Sequence, residues 1–219
     1  LESFFDAIWW DLDPSDDFLL HRVVGMLAEM EGFGSDALFA DAIHRDEDGV
    51  AKRRFGINKL LVRSGAGSGE LRYGLFHDRF RWYVQSRFRQ ADRARALHLP
   101  LLHTCERGVD TADHYSARYH SYHLAALCDH PGLSEAERQD HREDFWQRIR
   151  ASEFHRRNFA ALEDEHAVIA DFKRAFDVFR PRVTDEPAVK TAKAQRATAL
   201  ALACMEQVAG VANEARARL

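Results

Sequence analysis

The apolar residues in the first part of the chain recur every three to four positions, which is the spacing of amphipathic helices. The first stripe consists of Phe18, Leu19, Val23, Met26 and Leu27. Ser15 precedes this stripe as the expected N-cap, and Asp16 and Asp17 would follow in the first turn, where the helix dipole favours acidic residues. A second helix is expected to begin at Ser35, and a third to follow the acidic turn at 46–49.

The third helix is expected to carry Val50, Ile57, Leu60 and Leu61. After it, the apolar spacing changes to that of a β-strand, because Leu71, Tyr73 and Leu75 alternate with other residues. The glycine-rich segment 64–69 separates them from residues 61–63, which predicts a two-stranded hairpin with a flexible tip. Three short helices followed by a hairpin are the plan of a winged helix, which a helix from His77 would close.

The rest of the chain is expected to be helical. Ser134 and Glu137 form a capping-box pattern at a helix start, and Pro187 lies near the start of an alanine-rich final helix. Short turns between the helices favour an irregular bundle or an α-solenoid. The predicted fold class is therefore mainly α, with a winged-helix domain carrying a small β-hairpin wing at residues 1–90 and a helical arm at residues 91–219.

The composition is that of an ordinary soluble globular protein, with 30% charged and 46% hydrophobic residues among 219. No apolar run approaches the roughly 18–20 residues that span a bilayer, so no membrane association is expected. The cysteines Cys105, Cys128 and Cys204 are widely spaced, which favours a reducing, cytoplasmic location over a disulfide framework or a zinc ribbon. Because the chain does not begin with Met, we expect it to be part of a longer protein.

The charges are divided unevenly along the chain. Acidic residues dominate up to Asp48 and basic residues dominate from Lys52 to Arg95, although the formal net charge is only −4. The basic residues on the expected third helix and wing include Lys52, Arg53, Arg54, Lys59 and Arg63. Phosphate contacts from these residues would suit a DNA-binding transcriptional regulator, with Asn58 available to read a base edge. The same basic surface could instead face an acidic neighbouring domain or solvent.

His77 and Asp78 lie where the strand spacing gives way to the helical spacing. In the first turn of a helix, unpaired backbone N–H groups favour an anion. A helix N-terminus also disfavours the imidazolium form, so we expect His77 to be neutral and to offer one N–H donor. Without a ligand, the two residues would be an ordinary first-turn histidine and an acid that interacts with the helix dipole.

Three segments occur in a fixed order along the chain: 73–83 (YGLFHDRFRWY), 115–124 (YSARYHSYHL) and 169–176 (IADFKRAF). Together they resemble segments of the STAND NTPases, the NACHT and NB-ARC group of signalling ATPases. The first segment is similar to the phrase with a His-Asp pair that ends the winged helix of that family. The second is similar to a helix that follows in many bacterial members, and the third looks like the helix that closes their helical arm.

The resemblance implies a regulatory role and no catalysis within the chain. His77 matches the position whose imidazole meets the phosphate of bound ADP in the closed, inactive state, with Asp78 in support. The nucleotide-binding domain of the same parent chain would bring the ADP or ATP, and a C-terminal sensor domain would act through the arm. Activation would produce a homo-oligomer, and the resemblance suggests bacterial signalling or antiphage defence.

Other candidate sites have less support in the sequence. Segment 65–69 lacks the GK[ST] ending of a phosphate-binding loop, and a chain without a Walker A motif cannot hydrolyse ATP by itself. His120 and His123 share a helical face near Cys128, but tyrosines are interleaved with them, so we expect packing and no metal site. No catalytic motif is found, and a helical protein-interaction scaffold is a third interpretation.

Overall fold

The computed structural model describes residues 2–12, 18–64, 71–109 and 114–217. The predicted cap at 15–17 and residues 65–69 of the predicted hairpin tip lie outside these residues, whereas Ser64, which was assigned to the tip, is the last residue of a β-strand. The described chain is mainly helical with one small three-stranded antiparallel sheet, as predicted at that level. It divides into two compact units, Leu1–Thr104 and Cys105–Leu219, which we call unit 1 and unit 2.

Unit 1 consists of short helices and short strands. Its elements are α1 (Glu2–Asp11), α2 (Leu19–Glu29), β1 (Gly34–Ser35), α3 (Asp36–Ile43), α4 (Glu47–Arg54), a 3-10 helix (Phe55–Leu60), β2 (Leu61–Ser64), β3 (Arg72–Leu75), α5 (Asp78–Arg87), α6 (Gln90–Asp92) and a π-helical segment (Arg93–His98). The helix that follows, α7 (Leu99–Val109), contains the boundary between the units.

The secondary-structure elements among the described residues of unit 2 are all helices, joined by short turns. Its elements are α8 (His114–Cys128), α9 (Glu135–Arg150), α10 (Ser152–Leu162), α11 (Glu165–Phe179) and α12 (Pro187–Ala217). The large side chains at its centre, among them Phe145 and Phe172, are almost completely buried. The long helix α12 contributes less to this core, because Leu200 and Val211 are its only fully buried residues among those described.

Several predicted helix starts are confirmed. Each depends only on nearby residues, which is why the sequence could predict it. The Ser35 hydroxyl accepts a hydrogen bond from the backbone N–H of Leu38 at 3.2 Å and caps α3. Ser134 and Glu137 form the predicted capping box at α9. The final helix begins at Pro187, where the missing N–H of proline has no cost.

The strand order in the sheet is β1-β3-β2, with both pairings antiparallel. The predicted hairpin is confirmed by the pairing of β2 with β3, in which Leu61 lies opposite Leu75. The sequence pattern missed the two-residue strand β1. Its Gly34 must be a glycine, because a Cβ atom there would overlap the ring of Phe39.

Two predictions for unit 1 were wrong in detail, and one helix was not predicted. Phe18 was placed in the apolar stripe of α2, but it precedes that helix with φ 50° and is exposed. The expected third helix is split into α4 and the 3-10 helix, and Leu61 begins β2 instead. The helix α1 was not predicted, although Phe5 and Trp9 are buried against the aromatic residues of α5 and Phe88.

A buried ionic cluster fixes the π-helical segment to α2. The Glu29 carboxylate is 2.5 Å from Arg93 Nε and 3.2 Å from His98 Nε2. Burial raises the pKa of Glu29, but hydrogen bonds from His98 and Arg93 outweigh this effect and lower it to about 2. Glu29 and both of these partners lie within unit 1, which extends to Thr104.

Across the described ranges, none of the helices combines the length and apolar character that crossing a membrane requires.

Candidate functional site

His77 lies at the junction between β3 and α5. The strand ends at Leu75, the helix begins at Asp78, and His77 is the N-cap with extended backbone dihedrals, φ −144° and ψ 126°. Its ring atom Nδ1 accepts a hydrogen bond from the backbone N–H of Arg79 at 3.0 Å. The histidine thus replaces the oxygen of a more usual Ser or Asp cap.

This cap fixes the position of the ring proton in the neutral form. An imidazole nitrogen that accepts a hydrogen bond carries no proton, so Nε2 carries it and is the donor. The side chain of His77 is exposed, and Nε2–H is therefore accessible to a ligand. The capping bond also restricts rotation of the ring, so the donor direction is set before any ligand arrives.

The surroundings of His77 combine an apolar ring with a helix terminus. Phe76 is 46% exposed and lies edge-on to the imidazole, with 5.7 Å between ring centroids. Asp78 is exposed in the first turn of α5. Because His77 itself binds the N–H of Arg79, that group is not available to an anion, and the site offers fewer backbone donors than expected.

Arg54 is held inside unit 1, unlike the other basic residues of the predicted DNA-binding set. Its Nε and Nη2 donate to the two carboxylate oxygens of Asp36 at 2.6 and 2.8 Å, and Nη1 donates to Asn58 Oδ1 at 2.9 Å. The guanidinium lies 3.8 Å from the centre of the Tyr73 ring. These contacts give Arg54 a structural role and engage the amide of Asn58 as well.

The other four residues of that set are exposed on the surface of unit 1. Lys52 and Arg53 lie on α4, Lys59 on the 3-10 helix, and Arg63 on β2. We call these four exposed residues the basic surface, and they are separate in sequence from the His77 junction. Because Arg54 is buried, the alternative prediction of DNA binding rests on these four exposed residues.

Two histidines of α8, His120 and His123, have different partners. His123 Nε2 lies 2.8 Å from the hydroxyl of Tyr115, whereas the buried ring of His120 lies edge-on to Phe154 at 5.5 Å. Within residues 2–12, 18–64, 71–109 and 114–217, no group of three or more His, Cys, Asp or Glu side chains could hold a metal ion. Burial raises the pKa of Cys128 to about 12, with a further contribution from Asp129, so its thiol is inert at neutral pH.

A groove of about 460 Å³ in unit 2 is lined by charged side chains and by apolar residues of α11 and α12. Its cations are already paired. Arg142 contacts Asp129 at 2.7 Å and Glu135 at 2.6 Å, and Lys193 contacts Asp185 at 2.9 Å. The groove is therefore a network of ion pairs and offers an incoming anion little net attraction.

Sequence reasoning missed a buried polar cluster between α8, α10 and α11. Asp171 is 1% exposed and contacts Ser121, Asn158 and Arg174. Desolvation raises the pKa of Asp171 to about 7, although these three partners favour the charged form. Ser121 is fifty positions away in the sequence, so no local pattern could indicate the pairing.

The three segments on which the expected STAND resemblance rests lie on distinct elements. Segment 73–83 covers the β3–α5 junction, segment 115–124 lies on α8, and segment 169–176 lies on α11. The likeness consists of these residues and their order in the chain. In comparisons with protein-family profiles, with curated protein sequences and with solved structures, nothing matches this chain.

Proposed function

We propose that the chain is a regulatory part of a STAND signalling ATPase. In this proposal residues 1–90 form a winged-helix domain that closes the nucleotide site on ADP, and residues 91–219 form the arm that relays a sensor signal. The observation that carries the proposal is the geometry of His77. Its ring is exposed at a strand-to-helix junction, with one nitrogen engaged by the cap and the other carrying an accessible donor.

The order of elements in unit 1 supports a winged helix. In that fold a short strand between the first two helices pairs with a hairpin that follows the third. Here β1 lies between α2 and α3, and β2 and β3 follow α4. The sheet order β1-β3-β2 places the returning strand in the middle, directly before His77.

The geometry of His77 suits a contact with ADP that is made only in the closed state. We call this proposed contact between His77 and the phosphate the latch. A hydrogen bond from Nε2–H to a phosphate is charge-assisted, and such bonds contribute about 1.5–3 kcal/mol. The capping bond to Arg79 fixes the ring beforehand, which reduces the entropy lost on binding. ADP that contacts both the nucleotide-binding domain and His77 would hold the two domains together. If ATP does not make the contact with His77, exchange of ADP for ATP would release the two domains.

The proposed partners follow from this role. The nucleotide-binding domain of the same parent chain supplies the ADP or ATP, a C-terminal sensor domain acts on the arm, and the opened form assembles into a homo-oligomer. The chain itself carries out no catalysis in this scheme. The proposed setting is cytoplasmic signalling in bacteria, including defence against phage.

The test compares two substitutions of His77 in the full-length parent protein. His77→Ala removes both the cap and the Nε2 donor, whereas His77→Ser restores a helix cap without the donor. If the donor holds ADP, both variants should retain ADP at least about tenfold less tightly, since one charge-assisted bond is lost. The measurement is the amount of nucleotide that co-purifies, followed by its dissociation rate.

Two results would argue against the latch. Undiminished ADP retention in the folded His77→Ser variant would show that the donor has no role. A loss in His77→Ala alone would assign the effect to the helix cap. His103→Ser, at an exposed histidine of α7, is the matched control and should leave ADP retention unchanged.

The exposed basic surface supports DNA binding as a second candidate function. Lys52, Arg53, Lys59 and Arg63 are exposed basic residues, and each phosphate contact made by one of them would steepen the salt dependence of binding. Titration of the chain with duplex DNA at 50 and 200 mM salt tests this function. Tight, salt-dependent binding that Lys52→Glu and Lys59→Glu both weaken would favour the regulator, and weak binding without that response would exclude it.

A further inference from the structure

The small sheet of unit 1 has an apolar surface on both of its faces. The side chains of its inner face are buried: Leu61, Tyr73 and Leu75. The other face of such an antiparallel sheet usually carries polar side chains, because it meets water. Here Phe33, Val62 and Phe76 are 37%, 42% and 46% exposed. We call these three residues the outer apolar face.

Phe33, Gly74 and Val62 lie in one row across the three strands. Val62 pairs with Gly74, and the pairing of Gly34 with Tyr73 places Phe33 beside Gly74 on the other side. A Cβ atom at Gly74 would be 3.0 Å from the ring of Phe33 and 3.6 Å from Val62 Cγ2. The ring and the methyl group therefore lie side by side above the backbone of Gly74, in space that any larger residue would fill.

Phe76 extends this surface along β3. Its backbone N–H donates to the Leu60 carbonyl at 3.0 Å, so the contact between the two strands continues one residue past Leu75. Alternate residues of a strand share a face, so Phe76 lies on the same face as Gly74. From the spacing of residues and strands in a sheet, the backbones of Phe33 and Phe76 are about 8 Å apart. The two rings are thus neighbours on one exposed surface.

The charges around this surface favour an anionic partner. From Lys52 to Arg95 the chain has twelve basic residues and three acidic ones. Lys59 lies just before β2 and Arg63 lies within it; both are exposed, and within the described residues neither has a bonding partner. Two acids, Glu31 and Asp78, are each two positions from one of the rings in the sequence, and Glu31 already has a partner.

We propose that the outer apolar face binds single-stranded nucleic acid. Bases of any identity stack on exposed aromatic rings, and cations beside the rings contact the phosphates. Phe33 and Phe76 would hold the bases, and Lys59 and Arg63 the backbone. A duplex keeps its bases stacked on one another and cannot use the rings. Binding at this face is separate from the latch and from the regulatory role proposed above, and it involves a different form of nucleic acid from the duplex.

The experiment measures binding of the complete chain to a short fluorescein-labelled oligothymidylate by fluorescence anisotropy. Phe33→Leu and Phe76→Leu keep an apolar side chain and remove the aromatic ring. Each should weaken binding about tenfold, which is the contribution of one stacked base. Phe33→Tyr keeps the ring and should bind as the wild type does. Lys59→Glu should weaken binding and reduce its salt dependence between 50 and 200 mM salt.

Phe55→Leu is the matched control. Phe55 is 75% exposed on the 3-10 helix and lies outside the sheet, so this substitution should leave binding of the oligothymidylate unchanged. Circular dichroism shows whether each variant is folded. If Phe33→Leu does not fold, Phe76→Leu decides, because Phe76 is the more exposed of the two rings.

Four results would overturn the proposal. The first is no binding of the oligothymidylate at 50 mM salt. The second is equal binding of single strand and duplex that neither ring substitution weakens, which would assign all binding to the basic surface. The third is displacement of the labelled strand by polyglutamate as readily as by unlabelled oligothymidylate, which would indicate an acidic polypeptide as the partner. The fourth is a dimer of the wild type that Phe33→Leu dissociates, which would indicate a second copy of the chain.

Discussion

At the scale of single residues, the same side chain has different properties according to its surroundings. His77 is exposed and caps a helix, His123 is bonded to a tyrosine hydroxyl, and His120 is buried with neither ring nitrogen hydrogen-bonded. The position of His77 at a helix start could be predicted, because a cap depends on residues two or three positions away. Burial of His120 depends on Phe154 of another helix, which its own neighbours in the sequence do not reveal.

His120 should make unit 2 sensitive to acid. Desolvation, with repulsion from Arg148, lowers its pKa from 6.5 to about 4. The unfolded chain therefore takes up a proton first as the pH falls, and roughly 3 kcal/mol of unfolding free energy should be lost between pH 6.5 and 4. We expect His120→Phe to remove this loss, since the substitution keeps an aromatic ring beside Phe154 and has no nitrogen to protonate. Urea unfolding at pH 7.5 and pH 5 measures the effect.

The control for this prediction is His166→Gln, at an exposed position on α11, which should keep the acid sensitivity of the wild type. Equal losses of stability in His120→Phe and wild type on acidification would show that His120 is not the group responsible. His155 contributes in the same direction, because burial also lowers its pKa. Some acid sensitivity should therefore persist in the variant.

At the scale of secondary-structure elements, local patterns predicted most helices and the hairpin. They failed for α1, because that helix exposes Phe4 and Trp10 while it buries Phe5 and Trp9. A helix with aromatic residues on several sides has no clear apolar stripe. Its buried face is decided by α5, where the Tyr83 hydroxyl donates to Asp6 at 2.6 Å.

Arg54 connects three elements of unit 1 and should be important for stability. Arg54→Met leaves Asp36, whose side chain is 13% exposed, without its partner, and breaking such a pair costs about 3 kcal/mol or more. Urea denaturation of unit 1, followed by the fluorescence of its tryptophans, measures the loss. Lys52→Met, at an exposed position on the same helix, should change stability by less than about 0.5 kcal/mol. A comparably small effect of Arg54→Met would refute the structural role.

At the scale of the whole molecule, charged groups that are distant in sequence contribute to the stability of each unit. Glu29 pairs with Arg93 across sixty-four positions, and this contact holds the π-helical segment against α2. In unit 2, protonation of Asp171 and of the buried histidines affects stability with opposite signs. The net stability of unit 2 should therefore vary less with pH than any one of these groups would predict.

By itself, the sequence determined that the chain is mainly helical, the capped starts of α3 and α9, the β2–β3 hairpin and the location of His77 between a strand and a helix. Each of these depends on hydrogen bonds and apolar spacing within a few residues, which a linear pattern contains. Only the tertiary structure decided that Arg54 is buried against Asp36 and that Asp171 meets Ser121 and Asn158 inside unit 2. Whether a charge is solvated or buried depends on residues that are distant in sequence, because desolvation is set by all the atoms that surround the group.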